Sequence, residues 1–241
     1  WVPTGGGKTE AYLGLATFTM AYRRIKAISR GEGLVGYAGV NVIMRYTLRL
    51  LTIQQFQRAA ALMCACESIR IRKKHRFGEI PFNVGLYVGQ TTTPNFINSS
   101  GDEDSKDAQF ALDYWRREHE QPTSSNPFQL LYCPWCGEDL DVHCYDIIND
   151  NKHLSVKCRN EQCEFNRVEI PVLTVDEDIY NRLPSVLIGT VDKFAMMPFK
   201  PDMTALFGYV EGYCPTHGFL PILDHHPKIH RNGTKIIRLD S

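Results

Sequence analysis

Residues 3–10 read Pro3-Thr4-Gly5-Gly6-Gly7-Lys8-Thr9-Glu10, and the prediction of the fold starts from this stretch. Three consecutive glycines let the backbone curl with no Cβ atoms in the way, so that backbone N–H groups can converge on an anion. The Lys8 ammonium would reach the β- and γ-phosphates of ATP, and the Thr9 hydroxyl would hold Mg²⁺. The pattern is typical of a phosphate-binding loop, whose candidate nucleotide-binding residues are Thr4, Gly5, Gly6, Gly7, Lys8, Thr9 and Glu10.

A helix is expected directly after this loop. Apolar residues recur at spacings of four and three and form one stripe: Ala11, Leu15, Phe18, Tyr22 and Ile25. The N-terminus of such a helix carries partial positive charge, which favours a bound phosphate. A glycine-rich loop without a nucleotide role would explain the three glycines, but it explains Gly-Lys-Thr followed by an amphipathic helix much less well.

The loop has no strand before it. A phosphate-binding loop follows a strand, yet only Trp1, Val2 and Pro3 precede Thr4, and Val2 stands where the full pattern has glycine. The sequence therefore indicates an excerpt of a larger chain.

Apolar, β-branched runs predict buried strands at residues 40–46, 82–88 and 185–190, with helices between them. Strands that alternate with helices after a phosphate loop predict an α/β fold, in which helices cover both faces of a parallel sheet. Ligands of such sheets bind at the carboxyl ends of the strands. We therefore expect the strand ending at Thr190 to neighbour either the strand ending near Tyr46 or the strand of the phosphate loop. Arg49, Thr190 and Lys193 should cluster at one edge of the sheet, near the phosphate loop but not in it.

The composition excludes several classes of protein. Hydrophobic residues make up 43% and charged residues 22%, which is ordinary for a globular protein. No apolar run approaches the ~20 residues needed to span a bilayer, so no membrane partner is expected. Lys+Arg and Asp+Glu both count 27, and this zero net charge excludes a globally basic nucleic-acid binder while leaving a local basic channel possible.

Two cysteine pairs predict a metal site. Cys133-Pro-Trp-Cys136-Gly137 has the form of a zinc knuckle, in which glycine allows the tight turn after the second cysteine, and Cys158 and Cys163 would supply two more ligands. Four sulfurs favour a closed, structural Zn²⁺ site over a catalytic one. Paired short spacings in a chain of this length favour a metal over disulfides and hence a reducing compartment, the cytoplasm.

Other candidates are weaker. Cys64 and Cys66 are expected to be core or semi-buried thiols. Cys144 with His143 could replace a ligand at the zinc site, although this alternative is disfavoured. Cys214 and His217, with three nearby histidines, could form a second metal site, although a loop with satisfied histidines is favoured. The basic run at residues 70–76 is typical of a solvated helix end, and it could instead meet a phosphate backbone.

Four segments in the expected order resemble superfamily-two helicases, in their first RecA-like lobe. Residues 3–9 resemble helicase motif I, residues 47–51 are similar to motif Ia, and Val88-Gly89-Gln90 sits where the family has the glycine of its Ib region. Residues 188–194 resemble the motif that ends in a threonine and contacts the tracking strand. Motif I is specific to P-loop proteins, whereas the other three are persuasive only together.

The combination of residues 3–12, residues 46–52 and the Cys-Pro-Trp-Cys-Gly insert is similar to the helicases of the DISARM anti-phage systems. The resemblance implies a RecA-like lobe at residues 1–128 and 173–241, interrupted by a zinc ribbon at residues 129–172. It implies a cytoplasmic antiviral protein that uses ATP, Mg²⁺ and Zn²⁺ and acts beside other defence proteins. It also implies contacts with nucleic acid, DNA rather than RNA, from four residues: Arg49, Gln90, Thr190 and Lys193.

One departure from the helicase pattern matters for catalysis. The acidic motif that holds Mg²⁺ and activates water does not occur, since Asp224-His225-His226 lacks the glutamate, and the second lobe is also absent. The full-length protein is thus expected to be an ATP-hydrolysing helicase or translocase, and the excerpt alone to bind nucleotide without efficient hydrolysis. Two alternatives are a P-loop ATPase that remodels proteins, disfavoured by motif Ia and Thr190, and a non-enzymatic zinc-dependent interaction module, disfavoured by the intact Lys8-Thr9 pair.

Overall fold

The computed structural model describes residues 7–99, 106–148, 152–197, 203–221 and 237–238. Its helices are α1 (Lys8–Ser29), α2 (Arg49–Arg72), α3 (Lys74–Phe77), α4 (Ala108–Glu118), α5 (Glu164–Arg167), α6 (Asp176–Arg182), α7 (Val191–Ala195) and α8 (Met203–Leu206). Its strands are β1 (Val42–Tyr46), β2 (Val84–Tyr87), β3 (Tyr145–Ile148), β4 (His153–Val156), β5 (Val172–Leu173), β6 (Val186–Thr190), β7 (Val210–Cys214), β8 (Gly218–Pro221) and β9 (Ile237–Arg238).

The main sheet has four parallel strands in the order β1-β6-β2-β5. Tyr46 is the register partner of Thr190, and Tyr87 is the partner of Gly189, so the carboxyl ends of three strands meet at one edge. Val186 to Ile188 in β6 are fully buried, as is typical of a parallel strand covered on both faces. The predicted α/β fold, its parallel sheet and the adjacency of the strands ending at Tyr46 and Thr190 are confirmed.

Apolar side chains form a core on each side of this sheet. On one side, Phe56 and Met63 of α2 pack in the same cluster as Val84 and Ile188. On the other side, Ile179 of α6 clusters with Leu187 and with Phe219 of the antiparallel sheet β8-β7-β9. The sheet is thus held between two apolar layers, which fixes the position of its strand ends.

The apolar stripe of α1 faces away from the core. Leu15 and Phe18 are 62% and 65% exposed, whereas the buried line of the helix consists of Ala16, Met20, Arg24 and Ala27. The small side chains allow close packing, and the Arg24 guanidinium donates to the Pro81 carbonyl at 2.8 Å and lies 3.7 Å from the Phe82 ring centroid. The buried face of α1 therefore contains an arginine whose hydrogen bonds are satisfied, in the place where an apolar stripe would ordinarily lie.

The cysteine module, meaning the described residues from 129 to 171, follows α4 and contains the antiparallel hairpin β3-β4. Strand β5 begins at Val172, one residue inside the predicted boundary of the insert, and pairs with β2 of the main sheet. Phe165 and Cys158 of the module belong to the same buried cluster as Phe56 of α2. The module is therefore packed against the lobe rather than tethered to it. Across the part of the chain that the structure describes, no helix is both long and apolar enough to cross a membrane.

Candidate nucleotide, nucleic-acid and metal sites

The described part of the phosphate loop has the geometry of a helix start. Gly7 has a φ of +71°, in the left-handed region that glycine adopts at little cost, and α1 begins at the next residue. No side chain caps this first turn within the described residues, so its N–H groups point outward, as an anion site requires. Thr4, Gly5 and Gly6 lie outside the described residues.

Lys8 and Thr9 stand on the first turn of α1, and both are partly exposed. Glu10, which sequence reasoning assigned to nucleotide binding, forms an ion pair with Arg58 of α2. Arg58 was not singled out from the sequence, because it lies 48 residues further along and its only signal is a place on the helix after motif Ia. The pair links the loop helix to α2.

Three of the four residues predicted to contact nucleic acid lie at the edge of the main sheet where the carboxyl ends of its strands meet. Arg49 begins α2 just after β1, Thr190 ends β6, and Gln90 follows β2. The guanidinium of Arg49 is exposed and donates to the Thr91 hydroxyl at 3.3 Å. Thr91 lies in the strand-end segment 89–93, where function was expected, and it thereby connects the segment after β1 with the segment after β2.

Lys193 is placed differently from the other three. Its side chain is only 10% exposed, and its ammonium lies 2.5 Å from a carboxylate oxygen of Asp176 and 3.1 Å from the Asn95 side-chain oxygen. The Tyr87 ring centroid is 4.9 Å from the same ammonium. The predicted contact of Lys193 with nucleic acid stays a prediction, and the structure gives this lysine a buried partner. Asp176 opens an acidic run at the start of α6, a signal that the sequence reasoning did not use.

The four predicted metal ligands come together. The sulfurs of Cys133, Cys136, Cys158 and Cys163 all lie within 4.8 Å of one another. The distance from Cys133 to Cys163 is 3.8 Å, and that from Cys136 to Cys158 is 3.5 Å. A tetrahedral ion with metal–sulfur bonds of about 2.3 Å places its sulfurs about 3.8 Å apart. The donor set and its spacing therefore fit Zn²⁺, and all four cysteines are free of disulfides.

Two tight turns bring these sulfurs together. Gly137 has a φ of +81°, and its N–H donates to the Cys133 carbonyl at 2.9 Å, which is the turn expected after Cys136. In the second pair, the Cys158 N–H donates to the Phe165 carbonyl at 2.9 Å. The Phe165 ring is fully buried and lies edge-on to Trp135 at 5.7 Å, so one aromatic contact joins the two turns.

Burial and hydrogen bonding shift the pKa values of these thiols in opposite directions. For Cys136, hydrogen bonds with the Glu138 backbone and the neighbouring cysteines outweigh burial and lower the pKa. Burial raises the pKa of the Cys163 thiol to about 11, and the neighbouring sulfurs add to the rise. Burial likewise raises the pKa of the Cys158 thiol. Two buried thiols therefore resist ionisation unless a metal offsets the negative charge, as Zn²⁺ does when it binds thiolates.

The remaining cysteines lie outside this cluster. The Cys144 thiol contacts the Asp141 carboxylate at 3.6 Å, and Cys64 and Cys66 are buried in α2, as predicted. Cys214 and His217 face each other across 3.8 Å. The three other histidines of that hypothetical second site, His225, His226 and His230, are outside the described residues.

A buried histidine network joins the cysteine module to the lobe, and sequence reasoning did not find it. His153 Nδ1 lies 2.7 Å from Asp178 of α6, and its Nε2 lies 2.8 Å from Glu169. Burial by itself lowers the pKa of His153, but the charge and hydrogen bond of Asp178, together with the hydrogen bond of Glu169, outweigh it and raise the pKa. The pKa of Glu169 falls to about 2 because contact with His153 outweighs the opposing effect of burial.

The fold and these sites define an α/β protein in which helices flank a four-stranded parallel sheet and a four-cysteine module is inserted. Among known proteins, the chain is 40% identical over 238 residues to the DISARM protein DrmA of Bacillus paralicheniformis. The alignment covers 96% of this chain and 20% of that protein, so the chain spans about a fifth of the length of its relative. The similarity confirms the resemblance to a DISARM protein that the motifs indicated. No protein-family model matches the chain.

Proposed function

We propose that this chain is the ATP-binding lobe of an ATP-dependent DNA helicase or translocase of a bacterial anti-phage defence system. The observation that supports it best is the meeting of Arg49, Gln90 and Thr190 at one edge of a parallel sheet, in a chain whose first helix starts at a phosphate-loop lysine. Similarity to a segment of a DISARM protein supports the defence role.

The nucleotide part of the proposal rests on the first turn of α1. The Lys8 ammonium would lie against the β- and γ-phosphates, while the uncapped N–H groups and the left-handed Gly7 would cradle them. Thr9 would hold Mg²⁺ through its hydroxyl. Hydrolysis of ATP bound there would supply the free energy for movement along DNA. Phosphoryl transfer depends on positioning and charge stabilisation by several groups, of which these residues are a part.

The nucleic-acid part rests on the strand-end edge. Arg49 and Gln90 are exposed there, and Thr190 is partly exposed between them in the sheet order. An arginine, an amide and a hydroxyl would contact mainly phosphates and sugars, and such contacts do not depend on base sequence. This is what a protein that moves along DNA requires, and we propose DNA rather than RNA as the substrate.

We propose a structural role for the zinc site. The four sulfurs, which lie within 4.8 Å of one another, would supply all four ligands of a Zn²⁺ ion and would leave no coordination position for a substrate. The module packs on α2, where the Ser68 hydroxyl donates to Glu164 at 2.6 Å. A Zn²⁺ ion held there would keep the module folded against the lobe. Metal-binding thiolates persist in a reducing compartment, so we place the protein in the cytoplasm, beside other proteins of the defence complex.

The experiment that tests the function measures ATP hydrolysis by the full-length protein with and without single-stranded DNA, double-stranded DNA or RNA. We expect DNA to stimulate hydrolysis, and we expect Lys8→Ala to abolish it while the protein stays folded, because the loop lysine contacts only the ligand. Turnover that DNA does not change would favour an ATPase that remodels proteins. Turnover unchanged by Lys8→Ala would refute nucleotide binding at this loop.

A further inference from the structure

A cavity lies at the junction of the cysteine module and the lobe. Its volume is about 490 Å³, within the range of small-molecule sites, and none of its walls belongs to the phosphate loop. Lys157 and Arg167 come from the module, Arg182 comes from α6, and Tyr213 comes from β7. A ligand there would touch both parts of the chain.

The carboxylates in the cavity wall are already neutralised. Glu67 accepts from the buried Arg70 at 2.8 Å, and Glu169 lies 2.8 Å from the ring of His153. These contacts form two charge-balanced pairs within the wall. Glu169 also attracts Arg182, so Lys157 and Arg167 are wall cations whose charge neither pair offsets.

Three cations of the wall keep unused hydrogen-bonding capacity. Lys157 and Arg167 have no ion-pair partner among the described residues, and both side chains are exposed at the cavity. Arg182 donates from Nε to Asp178 at 3.0 Å, but its Nη2 is buried and has no acceptor within the described part of the chain. The side chain of Arg182 is only 17% exposed, so water reaches it poorly. A buried N–H without an acceptor costs free energy, and a rotation of the Arg182 side chain toward the cavity would let a ligand oxygen accept from it.

We propose that this cavity binds a small phosphorylated anion of nucleotide size, held by Lys157, Arg167 and Arg182. A guanidinium fork matches the oxygens of a phosphate, and two further cations suit a group with more than one negative charge. The Tyr213 ring, half-buried in the wall, offers a surface for a flat apolar part of the ligand. The ligand would bridge the module and α6 and would strengthen their contact.

The test uses the full-length protein carrying Lys8→Ala, so that the phosphate loop does not compete for the probes, which are inorganic pyrophosphate and AMP. Hydrogen-exchange mass spectrometry would follow peptides covering residues 152–170 and 176–183. We expect either probe to protect both peptides. If neither probe protects these peptides, the proposal is wrong, and no substitution in the cavity is needed to show it.

Variants locate the binding. Lys157→Gln with Arg167→Gln removes two exposed cations of the cavity and should weaken affinity by at least about tenfold, as expected from charge-assisted hydrogen bonds. Lys73→Gln with Arg76→Gln removes two exposed cations that do not line the cavity, and it should leave affinity unchanged. Equal effects of the two pairs would overturn the proposal. Protection by a 5′-phosphorylated oligonucleotide but by neither probe would also overturn it and would assign the cavity to nucleic acid.

Discussion

His153 Nδ1 lies 2.7 Å from Asp178 Oδ2, so a side chain of the cysteine module is bound directly to helix α6 of the lobe. The other ring nitrogen faces Glu169 at 2.8 Å. A neutral imidazole has only one N–H to donate, whereas the imidazolium form has two and satisfies both carboxylates. Asp178 also accepts from Arg182 and from the Leu154 backbone N–H, so two further donors contact this buried carboxylate. The junction is therefore an electrostatic contact that depends on a protonated histidine.

This junction should weaken as pH rises. The folded pKa of His153 lies above its unfolded value of about 6.5. The stabilisation is therefore complete below pH ~6.5 and is lost as pH rises through the folded pKa. Denaturant midpoints of zinc-saturated wild type and His153→Gln, measured from pH 6 to 9, should converge as pH increases. His143→Gln changes an exposed histidine of the same module and should show a constant, small difference. A gap between wild type and His153→Gln that widens with pH would contradict this assignment.

Loss of one member of the Lys193–Asp176 pair should destabilise the fold strongly, whereas loss of both members should not. Lys193→Met would leave the Asp176 carboxylate, 2% exposed, without its cation, and we expect a loss of about 3–5 kcal/mol in the free energy of unfolding. Lys193→Met with Asp176→Asn removes both charges and should recover much of that loss. Denaturant unfolding of the four members of this double-mutant cycle measures the coupling. Additive losses would show that the pair does not interact energetically.

The same cycle separates a structural from a DNA-binding role of Lys193. If Lys193 acts only through folding, the double variant should bind DNA as the wild type does. If the double variant is stable but still binds DNA poorly, Lys193 contacts DNA directly, as the helicase resemblance implies. Fluorescence anisotropy with a labelled single strand is sufficient to distinguish these results.

Local patterns predicted the features that depend on neighbours in sequence. The strand at residues 185–190 is indicated by the apolar residues 186–188, and the turn at Gly137 follows from one glycine after Cys136; both are found. The buried face of α1 could not be predicted, because Arg24 enters the core only where the backbone carbonyls of residues 77–81 accept from it. Strand β5, with two residues, is too short to give a periodic signal.

The side-chain partners that could not be predicted from the sequence lie far from each other along the chain. Lys193 meets Asn95 across 98 residues of sequence, and His153 meets Asp178 across 25. Each side chain alone is consistent with an exposed position. Only the packing of α6 against β2 and β5 brings the partners together, and no local pattern records that packing.

Removal of one zinc ligand should unfold the cysteine module before the sheet. Cys136→Ser would leave three sulfurs for the ion, and structural zinc supplies much of the folding free energy of small modules. We expect loss of zinc by metal analysis and faster hydrogen exchange in β3 and β4, with β6 still protected. Cys144→Ser is the matched control, because this thiol lies outside the cluster and contacts Asp141. Retention of zinc by Cys136→Ser, or its loss from Cys144→Ser, would refute the ligand assignment.

Arg49 should contribute to DNA affinity through a phosphate contact that is independent of sequence. The exposed guanidinium lies at the strand-end edge and is oriented by its hydrogen bond to the Thr91 hydroxyl. Arg49→Ala in the full-length protein should weaken binding to all single-stranded sequences alike and should reduce the slope of log affinity against log salt concentration by about one. Thr91→Val should have a smaller effect in the same direction, because it removes the orienting oxygen and keeps the charge.

Arg117→Ala removes an exposed arginine of α4, paired with Glu118, and should leave both affinity and slope unchanged. Anisotropy titrations at four salt concentrations measure these slopes. An Arg49→Ala slope equal to that of the wild type would place the DNA path elsewhere on the lobe.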